Sequence, residues 1–401
     1  DATGVIYGLT GEGIAFSVED GRITQNFDGT SLDGEQLTAL LVDPIQPGNV
    51  YLGTDTGAIY YGAFGAPVES QKKISADPIT DVHWLSYECD RICLCRDGLY
   101  VGTDEGLFFL KGKDRIPTED ELTEYLAGTR IRCVIQDSDG NIWVSTFNND
   151  KGLVRYTPEG TITSFTEENG MPSDQVRCVK ETSDGSIVAG TNGGLAILDK
   201  QSDTIRVVDA DDGAKNTVFL TVEEGEDGKL YVGTDGDGIY VINGNTIETI
   251  GWEDGLTSDV VLKVIRDPNR DLYWVITSNS IEYLKDGKLT NVSTFPYNNN
   301  FDLYFDQNDD LWVLSSYGIF AVKAEEMLKD EVTDYRTYTL ANGLTAVPNS
   351  NSYSALDERG NLYIAGRTGA SLVNINDYFD GSTAHTKMTV SAIYNGEEEV
   401  Q

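Results

Sequence analysis

The sequence predicts an all-β chain folded as a β-propeller, and three observations carry that expectation. A stretch of the form DGNIWVST, Asp139 to Thr146 in one copy, returns along the whole of the 401 residues. Around each return lie runs of four to seven residues that alternate apolar and polar, the mark of antiparallel strands joined by hairpins. In most copies a glycine stands immediately before the third run.

Nine copies occur, beginning at Gly4, Gly48, Asp97, Asp139, Asp184, Asp227, Arg270, Asp309 and Gly360. The positions aligned with Trp143 are Tyr7, Tyr51, Tyr100, Trp143, Val188, Tyr231, Tyr273, Trp312 and Tyr363, spaced 39 to 51 residues apart. Four strands in about 43 residues make one propeller blade. Blades packed face to face around an axis cover both faces of each sheet and leave short outer edges.

In the fourth repeat the first strand is IRCVIQD from Ile131, and a DSDGN turn leads to NIWVST. The third strand is GLVRYTPEG, and TITSF from Thr161 is the fourth. Gly57, Gly106, Gly152, Gly194, Gly238 and Gly318 precede third strands, where positive φ or close backbone approach excludes a side chain. The seventh repeat has Ser280 there, so its hairpin is expected to turn differently. PTEDELTEYLAG from Pro117 predicts a short helix between the third and fourth blades, starting at a Thr-x-x-Glu-like cap. KAEEMLKDEV from Lys323 predicts another turn or two of helix.

The first repeat lacks a leading strand and the last lacks a clear fourth. Nine repeats predict a ring of about eight or nine blades, eight if strands from the two termini share one blade. The alternative is a seven-bladed ring built from the later repeats, with the first two left over from a preceding propeller. The propeller is assigned residues 1–380.

The net charge of −37, from 66 acidic and 29 basic residues, excludes nucleic acid as a partner and disfavours an anionic membrane. No stretch reaches the ~18 apolar residues of a membrane span, and the N-terminal DATGVIYG has no export signal, so such parts of a parent protein would lie outside this sequence. The five cysteines, Cys89, Cys93, Cys95, Cys133 and Cys178, lack CxxC spacing, which argues against zinc. Cys133 and Cys178 occupy one repeat position, in IRCV and VRCV, and read as buried thiols of core strands rather than a disulfide.

Chemistry finds little support. His83 and His385 are the sole histidines, and no nucleophile elbow, metal-ligand histidine pair or phosphate-binding glycine loop appears. No catalytic residue, cofactor or metal is assigned. Acidic stretches at Asp137, Asp209 and Thr234 could hold calcium or a glycosidase pair, but hairpins need Asp-Gly turns anyway. Recognition is expected where loops break the repeat: Phe147, Asn148 and Asn149, Trp252, Tyr297 and Asn299, Tyr317 and Arg367. Aromatic faces beside amides suit a sugar-like ligand.

The pattern D-x-D-G-N-I-W-V-S-T followed by GLVRYTPEG, with spacers ENGMPSDQV from Glu168, EDGLTSDVV from Glu253 and the weaker ANGLTAVPNS from Ala341, resembles the two-component-regulator propeller repeat. That resemblance implies a non-catalytic, ligand-sensing, extracytoplasmic module of a membrane-anchored bacterial protein whose output is a histidine kinase or diguanylate cyclase. MTVSAIYNGEEEVQ from Met388 resembles the opening of the Ig-like domain that follows such propellers, so residues 381–401 are read as linker and first strand of that domain. The implied partners are a small-molecule ligand, oligosaccharides included, the Ig-like and signalling domains of the same chain, and a second copy in a homodimer. The rival readings are a propeller enzyme, a lyase or glycosidase, and a protein-interaction scaffold.

Overall fold

The computed structural model describes residues 4–376, apart from 11–12, 29–36, 44–45, 55–58, 66–71, 75–78, 83–88, 96–97, 113–115, 148–149, 297–298, 340–343, 345, 350–351 and 367–368, together with 393–395 and 398–400. Seven four-stranded antiparallel sheets form a ring, and blades 1 to 6 each lie in one stretch of chain: 89–118, 131–165, 176–208, 219–250, 261–291 and 300–338. Blade 7 takes three strands, Ala355–Leu356, Asn361–Gly366 and Gly369–Asn374, from the C-terminal side. Its fourth is Ile79–Val82, which pairs Val82 with Ala370 and Ile79 with Val373.

Each neighbouring pair of blades shares an apolar seam. Tyr100 meets Ile131 and Val144 between blades 1 and 2, and Trp143 meets Val176 and Ile187 between 2 and 3. Val188 meets Phe219, Ile239 meets Val261, Trp274 meets Leu303, and Trp312 meets Leu362 in the next four seams. Tyr363 and Ala365 then pack on Leu99 and Val101, which closes blade 7 onto blade 1. The sheets at 6–28 and 37–74 precede the ring and share a core of their own around Ala15, Leu37, Val50 and Leu52. The nine repeats therefore divide as seven in the ring and two before it, which is the alternative the sequence leaves open rather than the ring of eight or nine that the bare repeat count favours. The physical reason is the closing strand: Ile79–Val82 carries no copy of the repeat motif, yet it fills the outer edge of the last blade.

The recurring turn organises itself. Asp137 Oδ1 accepts the backbone N–H groups of Asp139 and Asn141 at 3.0 and 2.8 Å, and Oδ2 accepts Asn141 Nδ2 and Trp143 Nε1, both at 2.8 Å. Asp267 and Asp306 hold Trp274 and Trp312 in the same way, and register makes Trp274, not the Tyr273 that the motif alignment picks, the counterpart of Trp143 in the seventh repeat. Both oxygens of Asp137 are committed to N–H donors, as a hairpin turn requires. Between blades, the Glu181 carboxylate accepts Ser138 N and Oγ at 2.7 and 2.6 Å, and Glu224 accepts Ser183 N and Oγ, both at 2.7 Å.

At Gly152, φ is +61° and a Cβ would lie 2.1 Å from Phe165 O; at Gly318, φ is +153° and it would lie 2.2 Å from Tyr338 O. The glycine thus serves both purposes expected of it. Ser280 adopts no positive φ, and its hydroxyl instead joins Thr257 and Thr277 around the buried Glu282 carboxylate. The helix predicted after Pro117 spans Glu121–Tyr125, but its cap is Asp120, which pairs reciprocally with Thr123. Ala324–Lys329 forms the second. A hairpin of Ile393–Asn395 and Glu398–Val400 stands apart from the ring sheets.

Candidate functional site at the ring axis

The first strand of each blade lines the axis, and the strand order 1-2-3-4 repeats around the ring. Antiparallel pairing then puts the 2–3 loops and the crossings between blades at one end, where first strands begin. The Asp-Gly turns gather at the other. These are called the loop end and the turn end.

One repeat position on the first strands converges on the axis. Register places Cys133, Cys178, Thr221, Lys263 and Asp302 at equivalent sites in blades 2 to 6. Tyr353, two residues before Ala355, holds that position in blade 7. Tyr353 reaches across the ring, its hydroxyl donating to Leu220 O of blade 4 at 3.0 Å. The Lys263 ammonium sits 3.1 Å from the centre of the Tyr353 ring and 3.5 Å from Asp302 Oδ2. Tyr304 Oη lies 3.1 Å from the same carboxylate oxygen. Lys263 and Asp302 are both almost fully buried, so each charge depends on the other. Lys263→Met is expected to strand the Asp302 carboxylate and cost about 3 kcal/mol in urea unfolding, with part of that recovered when Asp302→Leu is added.

This layer divides the channel. Toward the turn end lies a chamber of about 640 Å³, lined among others by Lys180, Glu223, Lys263, Asp302, Tyr304 and Tyr353. Its cations are paired, Lys180 with Glu223 at 2.6 Å, Lys263 with Asp302 and Arg266 with Glu226. Toward the loop end lies a pocket of about 20 Å³ among Arg132, Arg177, Leu220, Leu262, Lys263 and Tyr353.

Cys133 and Cys178 are buried in these first strands, in keeping with their reading as core thiols. Burial, reinforced by Cys133, pushes the Cys178 thiol up to about 12, so it is protonated and unreactive at neutral pH. Neither thiol is expected to react with a disulfide reagent in the native protein, and both should react once denaturant is added. Rapid native labelling of Cys178 would contradict its placement.

Of the loop residues expected to recognise a ligand, Phe147 comes to the axis. Its ring lies under the guanidinium groups of Arg177, Arg132 and Arg130, at 5.1, 5.7 and 5.8 Å. Trp252 is 76% exposed in the crossing between blades 4 and 5, and Tyr317 is 59% exposed beside Phe320 in blade 6. Asn299, with φ +51°, accepts Ser316 N–H on its carbonyl. No contact joins these three to Phe147 among the described residues. Asn148, Asn149, Tyr297 and Arg367, like His83 and His385, lie outside the described residues. Sequence reasoning passed over Lys263, Asp302, Tyr353 and the arginines. The signal was present: the equivalence of Cys133 and Cys178, carried into the next repeats, leads directly to Thr221, Lys263 and Asp302.

The class defined by this geometry is a closed repeat propeller with a polar axial layer. A family model described as "Two component regulator propeller" matches residues 125–148, one repeat of the chain. Its fold is similar to the extracellular domain assigned to the hybrid two-component system BT3049 of B. thetaiotaomicron, at 15% identity and a TM-score of 0.67, covering 99% of this chain and 60% of that one. The chain therefore spans less than two thirds of that structure. Virginiamycin B lyase from Staphylococcus aureus is similar at 16% identity and a TM-score of 0.58, over 74% of this chain and 98% of the lyase. A structure described as YCF48 bound to D1 peptide is similar at 12% identity and a TM-score of 0.57, over 76% and 99% of the two chains. Comparison with curated protein sequences yields no match. At these identities the likeness is one of fold. Among the described residues no helix is long and apolar enough to cross a membrane.

Proposed function

We propose that the chain is an extracytoplasmic, non-catalytic sensor module of a membrane-anchored bacterial signalling protein, and that its ring takes a carbohydrate-like small molecule at the axis. The observation that carries this reading is the axial chamber of about 640 Å³, a size suited to a small ligand. Its charges are already neutralised in pairs, and Tyr304 and Tyr353 offer aromatic surface beside polar groups, which fits a polyhydroxylated molecule. The two-component-regulator repeat supports the signalling context. Residues 381–401 would lead into an Ig-like domain, and binding would bias the association of two copies.

A thermal-shift screen against neutral oligosaccharides tests the reading. A ligand that raises the melting temperature of the native protein, but not of Tyr304→Ala, supports it; no shift with any saccharide counts against it. An enzyme reading draws on the convergence of Lys263, Asp302 and Tyr353, and on the lyase with a similar fold. Turnover of any candidate substrate that is abolished by Asp302→Asn would favour it over the sensor.

A further inference from the structure

The loop-end mouth of the channel carries a second, chemically distinct feature. In a chain of net charge −37, three guanidinium groups surround one aromatic ring, that of Phe147. Arg130 is neutralised by Asp104 at 2.9 Å. Arg177 is not: its hydrogen bond runs from Nε to the uncharged Oδ1 of Asn192 at 2.5 Å, and among the described residues no carboxylate lies within ion-pair distance. Asn192 is itself held by Gln175, so Arg177 is fixed by a chain of amides. That fixes the stem of the fork and leaves its outer nitrogens without a hydrogen-bond partner among the described residues. Burial and the neighbouring Arg132 both disfavour the positive charge of Arg177, and the field of Asp235 only partly offsets them.

The two arginines stand at equivalent, bulged positions of adjacent first strands, where register slips between Ile131 and Cys133 and between Val176 and Cys178. A bulge re-aims its side chain out of the sheet. Blades 4 and 5 have Leu220 and Leu262 at that position, so the mouth has a basic wall facing an apolar one. The pocket between them, about 20 Å³, has room for one small group and not for a whole ligand.

We infer that the loop-end mouth is a binding site for the anionic group, a carboxylate or a sulfate ester, of a small ligand, held by the Arg177 fork with Arg132 beside it and with Phe147 as the floor. A planar guanidinium matches a carboxylate or sulfate in two parallel hydrogen bonds, and an arriving anion relieves the repulsion between the cations. This site lies on the opposite side of the Tyr353 layer from the wide chamber and does not depend on that chamber being occupied.

The test uses the full chain, with glucuronate and methyl sulfate as anionic probes and glucose as the neutral one, in calorimetry at matched ionic strength. The anionic probes are expected to bind, glucose not to compete with them, and added NaCl to weaken binding. Arg177→Gln is expected to weaken binding of the anions at least tenfold, and Arg177→Lys to fall between, since it keeps charge but loses the fork. Unchanged melting of Arg177→Lys shows that its loss arises at the site. Tyr304→Ala, which alters the wide chamber, should leave anion binding as it was. Failure of both anions to bind, or equal binding by native protein and Arg177→Gln, overturns the inference. Either result leaves the response to neutral saccharides in the wide chamber to be judged separately.

Discussion

A chain that begins at residue 84 is expected to melt about 10 °C below one that begins at residue 76, although the two differ by eight residues. The longer one keeps Ile79–Val82, the outer strand of blade 7, paired from Ile79–Val373 to Val82–Ala370. Removing it deletes a run of backbone hydrogen bonds, each with a net worth of roughly 0.5–1.5 kcal/mol. It also exposes the edge of Gly369–Asn374 in the one blade built from distant segments of the chain. The sheets at 6–28 and 37–74, by contrast, have their own core, so the chain beginning at residue 76 should melt within a few degrees of the whole. Calorimetric melting of the three chains checks this. Equal melting of the two shortened forms would mean that the ring does not depend on this closure.

The same strand shows where sequence reading reached its limit. Repeats announce themselves because most blades reuse the same turn, the same aromatic position and the same glycine, Val188 and Ser280 being departures from the last two. Trp143, Trp274 and Trp312 are all fully buried beside a turn aspartate, and the fold class follows from them. Ring closure leaves no such mark. Ile79–Val82 is a four-residue strand whose partner lies almost 300 residues away, and nothing local separates it from the fourth strand of an earlier repeat. Counting motifs therefore overstates the ring by the two sheets in front of it.

The axial site was half legible for a related reason. Loop irregularity led to Phe147, which the structure brings to the mouth, and equally to Trp252 and Tyr317, which it leaves exposed on separate blades. A loop's divergence from the repeat reports freedom from blade packing and carries no information on distance from the axis. The first-strand position does carry it, because symmetry brings equivalent residues together. Reading Cys133, Cys178, Thr221, Lys263 and Asp302 as one column would have exposed a buried cation and a buried carboxylate in adjacent repeats, and neither belongs in a strand unless the other is near.

Trp143→Ala is expected to cost about 4 kcal/mol, and the pH dependence of the milder Trp143→Phe isolates the hydrogen bond within that sum. Trp143 is fully buried, stacks on Phe165 with ring centres 5.8 Å apart, lies 5.5 Å from the Arg155 guanidinium and donates to Asp137. Alanine empties that seam between blades 2 and 3. Phenylalanine fills most of it and removes the N–H, with an expected cost of about 1–2 kcal/mol at pH 7. Burial works against the charge of Asp137, but hydrogen bonds from Asn141 and Trp143, helped by Lys200, hold its carboxyl below the ordinary value of 3.8. A carboxyl depressed on folding stabilises the native state above its unfolded value, and that stability is lost as pH falls through the folded value. Trp143→Phe removes one cause of the depression, so its deficit against the native protein should be full at pH 7 and shrink once the pH drops below about 3.8. Urea unfolding of both proteins at pH 7, 5 and 3 measures this. A deficit that stays constant down to pH 3 would show that the tryptophan acts by filling space alone, and that the aspartate of the repeating turn draws no support from the ring it faces.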